Sequence, residues 1–157
     1  IKLMTSHVTP WVDKYVDSHP PVIMNFTDGA STHGSPDSEV EKLKATGTKD
    51  GNTLFLSCHI SSEPKAVLVE YPDTTATLPS IPFAVDLFNL SSVLPSKMIE
   101  TAQTLGYRLS SLSRGYVLNA RPDTLINFLE IGTPVNSVPS ETGPVDNLSS
   151  QGATDTE

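Results

Sequence analysis

Short apolar runs alternate with polar, turn-forming stretches along this chain. Val22-Ile23-Met24-Asn25-Phe26 reads as a buried strand, and Thr53 to Ile60 is a near-continuous apolar run of the kind found inside a covered parallel sheet. A third strand is expected over residues 115–119, and Ala66-Val67-Leu68-Val69 offers a short fourth. Helical spacing fills the intervals. Thr9 is placed to cap a helix with Pro10 at its first position, where Trp11, Val12, Tyr15 and Val16 share one face and His19-Pro20-Pro21 ends it. Before it, Ile1, Leu3, Met4 and Val8 suggest the remains of an earlier helix or loop. Ser35-Pro36 opens a helix that buries Val40 and Leu43 and stops at Gly47, and Lys49-Asp50-Gly51-Asn52 is a turn. Phe83, Leu87, Leu90 and Leu94 fit one helix ending at Pro95. Ser96 then caps a helix carrying Met98, Ile99, Ala102 and Leu105, with Gly106 as its stop. Pro122 starts a last helix expected to bury Leu125, Ile126 and Leu129. Tyr71-Pro72-Asp73 and the run from Thr74 to Pro82 read as an extended surface insertion.

Strands alternating with helices imply an α/β fold, a doubly wound parallel sheet with right-handed crossovers. Composition narrows the picture. Apolar residues make up 37% of the 157, enough for one modest core. Ten basic against eighteen acidic residues give a net charge of −8, which argues against non-specific binding to nucleic acid or to an anionic membrane. The apolar runs are far shorter than a membrane span. A single cysteine, Cys58, excludes an intrachain disulfide and a multi-cysteine zinc site. Residues 133–157 hold Pro, Ser, Thr, Gly and Asn with four acidic residues and no Lys or Arg, a disordered tail or a linker on composition.

The candidate chemistry lies where the first strand runs into Thr27-Asp28-Gly29. A carboxylate at the carboxyl end of a parallel strand faces the crevice in which open α/β sheets bind ligands, so Asp28 is a candidate metal ligand for a hard dication. Thr27, Ser31 and Thr32 are placed to orient Asp28 or its waters. The bland alternative is an Asp-Gly turn whose carboxylate bonds nearby backbone N–H groups. His33 has no second His or Cys at zinc-ligand spacing. In Cys58-His59, strand neighbours point to opposite faces, so the imidazole is not set to activate the thiol, which reads as a buried apolar group.

Pro20-Pro21-Val22-Ile23-Met24-Asn25-Phe26-Thr27-Asp28-Gly29 resembles the fourth strand and third metal motif of von Willebrand factor A (VWA) domains, particularly the bacterial intracellular type. Asn52 to His59 is similar to their fifth strand, Met98 to Tyr107 to the helix before the sixth, Arg114 to Ala120 to the sixth strand, and residues 122–132 to the closing helix. The resemblance covers roughly residues 10–132. It implies a Rossmann-like VWA fold incomplete at its amino-terminal side, with residues 1–132 as the carboxyl-terminal part of the domain and 133–157 as the tail. The implied function is that of a metal-dependent adhesion-site module: Mg²⁺ or Mn²⁺ held partly by Asp28, with an open position for the carboxylate of a protein partner, in a cytoplasmic scaffold or signalling role rather than an enzyme. The family's Asp-x-Ser-x-Ser motif is absent, and the chain opens on Ile1 within an apolar-periodic stretch, so it is expected to belong to a longer protein. The alternative is a doubly wound hydrolase or phosphoryl-transfer enzyme with Asp28 as nucleophile or magnesium ligand.

Overall fold

The computed structural model describes residues 2–29, 36–61, 63 and 65–133. Its elements follow in the order α1 (Lys2–Lys14), β1 (Val22–Thr27), α2 (Asp37–Ala45), β2 (Gly47–Thr48), β3 (Gly51–Asn52), β4 (Leu54–Ile60), β5 (Val69–Glu70), a 3₁₀ turn (Thr75–Thr77), α3 (Pro82–Leu90), α4 (Ser96–Thr104), β6 (Tyr116–Ala120) and α5 (Pro122–Gly132). Strands β1, β4 and β6 are mutually parallel, and the sheet order is β1-β4-β6-β5. The sheet is not wholly parallel, as the sequence suggests, but mixed. Val69–Glu70 runs antiparallel to β6, pairing Val69 with Leu118 and Glu70 with Val117. A strand of two residues needs no crossover helix to reverse direction, and the Asn119 side chain ties its approach by donating to the Val67 carbonyl at 2.7 Å. Among the described residues β1 has no neighbour on its outer side.

Successive strand residues face opposite ways, and each face of the sheet carries its own core. Leu56, Cys58, Val117 and Ala120 pack with Met98 and Ala102 of α4 and Phe128 and Ile131 of α5. On the other face Ile23 and Phe55 meet Val40 of α2 and Leu90 of α3, while Tyr116 and Leu118 meet Ala84 and Phe88 of α3. The Arg114 guanidinium secures the end of α3. It lies 4.7 Å from the centre of the Phe88 ring and donates to the Ser91 carbonyl at 2.7 Å, satisfying acceptors that a helix terminus leaves open.

Several element boundaries differ from the sequence pattern for identifiable reasons. Helix α1 does not begin at Thr9 but runs from Lys2 through Pro10. Only one backbone bond is lost at the proline, and Val12 beyond it is buried, so tertiary packing outweighs the local break. Its other expected apolar residues, Trp11, Tyr15 and Val16, stay about 40% exposed. Ser96 does not cap α4; Pro95 holds the cap position, its carbonyl accepting the Met98 and Ile99 N–H groups. Ser35 falls outside the described residues. Gly106 ends α4 as expected, at φ +90° with its N–H on the Gln103 carbonyl. In α5 the buried line is Thr124, Phe128 and Ile131, with Leu125 half-buried against the core as expected but Ile126 and Leu129 not. Ile126 is 63% exposed and Leu129 42%, because the helix turns Phe128 inward against Phe26 and Tyr71.

Candidate functional site

Asp28 sits where the sequence places it, immediately beyond the carboxyl end of β1 and exposed. Its neighbour Thr27 is occupied locally: the hydroxyl donates to the Gly29 carbonyl at 2.8 Å and accepts the Gly29 N–H at 3.3 Å. That turn fixes the loop's exit, and it means Thr27 orients backbone rather than the Asp28 carboxylate. Gly29 is not demanded by sterics, since a Cβ added there would meet nothing within 4 Å. Ser31 and Thr32, together with His33, lie outside the described residues.

In kind, the donors described at this end of the sheet suit a hard dication: an exposed carboxylate and, one residue before it, the Thr27 hydroxyl. In number they fall short of a full shell. Among the described residues no three His, Cys, Asp or Glu side chains group closely enough to hold a metal ion. Asp28 would therefore supply at most one ligand of such a site.

The β1–β4–β6 register assembles something the linear pattern hides. Asn25 pairs with Ser57, Ser57 with Tyr116, and Thr27 with His59. Residues in register on parallel strands point the same way, so these five side chains share the face covered by α2 and α3. Ser57 and Tyr116 are fully buried and His59 is 6% exposed. The Ser57 hydroxyl, the Tyr116 hydroxyl and His59 Nδ1 have no hydrogen-bond partner. Burial holds the Tyr116 phenol above its ordinary range, so it remains a neutral donor. The His59 ring packs against Phe83 with centroids 5.1 Å apart. Lower on the same face, Ile23 beside Phe55 is purely apolar. Buried unpartnered hydroxyls are not confined to the Asp28 end, however, since Thr53, just before β4, carries one as well.

His59 enters the sequence reading only as an unsuitable base for Cys58, and that geometry holds. Cys58 belongs to the α4/α5 core while His59 faces α3. Burial pushes the Cys58 thiol up from 9.0 to about 11, leaving it un-ionised at neutral pH. The missed signal was parity: Asn25 and Thr27, and Ser57 and His59, are polar residues two apart in strands otherwise read as continuous apolar runs.

No family model matches the chain, and no curated protein or solved structure matches it either. Among the described residues no helix is long and apolar enough to cross a membrane.

A cavity of about 920 Å³ opens at the other end of the sheet. It is lined by Val22, Leu54, Leu94 and Met98, with His19 and Asp50 at its edge, where Nδ1 meets Oδ2 at 2.6 Å. With Gly132 and Thr133 the lining comes from four separate parts of the chain, which is why no local pattern announces it.

Proposed function

We propose that the chain acts in a metal-dependent protein-binding module of the VWA type, a doubly wound fold in which Asp28 supplies one ligand to Mg²⁺ or Mn²⁺ and a partner's carboxylate completes the ion's shell. The observation that carries this reading is the exposed Asp28 carboxylate just beyond a parallel strand, at the sheet end where polar side chains gather. Helices on both faces, and the parallel order of β1, β4 and β6, support it. The bound ion would supply a positive charge able to accept a carboxylate oxygen; Asp28 would hold it, and the Thr27–Gly29 turn would present Asp28. A cytoplasmic scaffold or signalling role follows from the resemblance alone. The hydrolase alternative uses the same Asp28, and among the described residues no three His, Cys, Asp or Glu side chains group to support it.

Asp28→Ala in the full-length protein tests the reading. Titration with Mn²⁺ by calorimetry is expected to show affinity weakened about tenfold or more, with thermal stability unchanged, because an exposed carboxylate contributes little to packing. Mn²⁺ affinity equal to that of the wild type would reduce Asp28-Gly29 to an ordinary turn.

A further inference from the structure

We propose that the cavity at the amino-terminal end of β1 and β4 binds a small amphipathic carboxylic acid, its apolar body against Val22, Leu54, Leu94 and Met98 and its carboxylate on Lys97. The site lies at the opposite end of the sheet from Asp28 and does not depend on the metal reading. Shape comes first. A space of about 920 Å³ is within the range of small-molecule sites, which are concave, mainly apolar and carry a few polar groups. Val22 and Leu54 are partners in the β1–β4 register and only half-buried, while Leu94 and Met98 in the same lining belong to the α4/α5 core. Val93 adds a side chain 41% exposed. The core thus reaches solvent through this opening, and an apolar ligand covering it gains the free energy of removing that surface from water.

The lining is held before any ligand arrives. The Leu54 N–H donates to the Pro21 carbonyl and the Leu94 N–H to the Ser113 carbonyl, both at 2.9 Å. At the rim, the 2.6 Å contact between His19 Nδ1 and Asp50 Oδ2 joins the loop before β1 to the turn between β2 and β3. Segments fixed in this way lose little further freedom on binding. Charge then decides the class of ligand. Asp50 is engaged by His19, whereas Lys97, exposed and part of the lining, is in no ion pair among the described residues. The first turn of α4 brings no acidic residue to offset it. In a chain of net charge −8, a cation left open at the edge of an apolar cavity is complementary to an acid carried on an apolar body, and it disfavours a cationic head group. A neutral apolar molecule fits the walls but gains nothing from Lys97.

The test uses octanoate, with octanol as the same chain lacking the charge, on the full-length protein in the presence of EDTA, so that no divalent metal takes part. Affinity is read by calorimetry, and location by the resonances of isotope-labelled methionine methyl groups. Octanoate is expected to shift the Met98 resonance and leave that of Met4, on α1, unmoved. Lys97→Gln should weaken octanoate about fivefold and leave octanol unchanged, and Lys97→Arg should restore octanoate. Because Lys97 is exposed, neither substitution threatens the fold. Equal octanoate affinity in the wild type and Lys97→Gln would overturn the proposal, reducing the cavity to an apolar opening without selectivity for acids. Binding that leaves Met98 unmoved would place the acid elsewhere and overturn it too. No octanoate binding by the wild type would have the same force, a further part of the protein then filling the cavity.

Discussion

On the face covered by α4 and α5, the sheet presents Leu56, Cys58, Val117 and Ala120 to Phe128, Ile131, Met98 and Ala102, all buried and all apolar or nearly so. On the face under α2 and α3 the same strands begin in the same way, with Ile23 and Phe55, and then present Asn25, Ser57, Tyr116, Thr27 and His59. Strand parity alone separates the two sets. The comparison teaches that one ladder of backbone bonds holds together a face built for cohesion and a face that exchanges cohesion for hydrogen-bonding capacity. The contrast is one of degree, because the cohesive core also holds one unpartnered hydroxyl, that of Tyr71.

The largest effect should come from the cohesive face. Phe128 is 1% exposed, packs edge-on to Phe26 at 5.8 Å between ring centres and stacks near Tyr71 at 6.5 Å. Phe128→Ala removes those contacts and leaves a cavity that the sheet and α5 cannot close, because Gly132 already brings the helix against Met24. A loss of about 3–5 kcal/mol is expected in urea denaturation, enough to unfold a marginal domain. A loss no greater than that of a polar-face substitution would erase the distinction between the faces.

Much of this architecture is legible in the sequence, and for a physical reason. The strands at Val22–Thr27 and Leu54–Ile60 are dense in apolar residues, and helices announced by Pro36 and Pro122 begin within a residue of where the pattern puts them, whereas the helix expected to reach Pro95 stops at Leu90. Less legible was what depends on partners distant in sequence. Helix α1 passes through Pro10 because Val12 is buried beyond it, and α5 is rotated so that Phe128 and Ile131 rather than Ile126 and Leu129 face the sheet. The site divides in the same way. Asp28 is announced by its strand and its glycine, whereas the polar row needs the register of three strands, which no single segment encodes.

A smaller effect probes how dry the cohesive face is. Cys58 is fully buried there, and desolvation raises its thiol from 9.0 to about 11. The folded state then holds a proton that the unfolded chain releases, so this contribution is complete below about pH 9 and is lost as pH climbs toward 11. Tyr107, pushed up to about 12 by burial first and then by its hydrogen bond to Glu70, extends the decline further into alkali. Stability measured between pH 8 and 11 should fall, by at most about 3 kcal/mol from the thiol, and Cys58→Ala should flatten the part between 9 and 11. A wild-type curve flat over that interval would mean that water reaches the thiol.

The smallest expected effect belongs to the polar face and is the most discriminating. Ser57 is fully buried, its backbone N–H is satisfied by the Gly115 carbonyl at 2.8 Å, and its hydroxyl has no partner. Ser57→Ala removes the orphaned group without touching the ladder and leaves only a hydroxyl-sized gap. In the absence of ligand, the change should therefore lie between neutral and a gain of about 1 kcal/mol, the reverse of what a satisfied buried hydroxyl would give. A loss greater than about 1.5 kcal/mol would show that the hydroxyl is already bonded in the free protein, by an internal water for example. Its pairing with Asn25 and Tyr116 would then be a structural seam, and the contrast between the two faces would be one of packing chemistry alone. A gain would instead mark stability given up to a polar group buried without a partner, and the contrast between the two faces would extend to that cost.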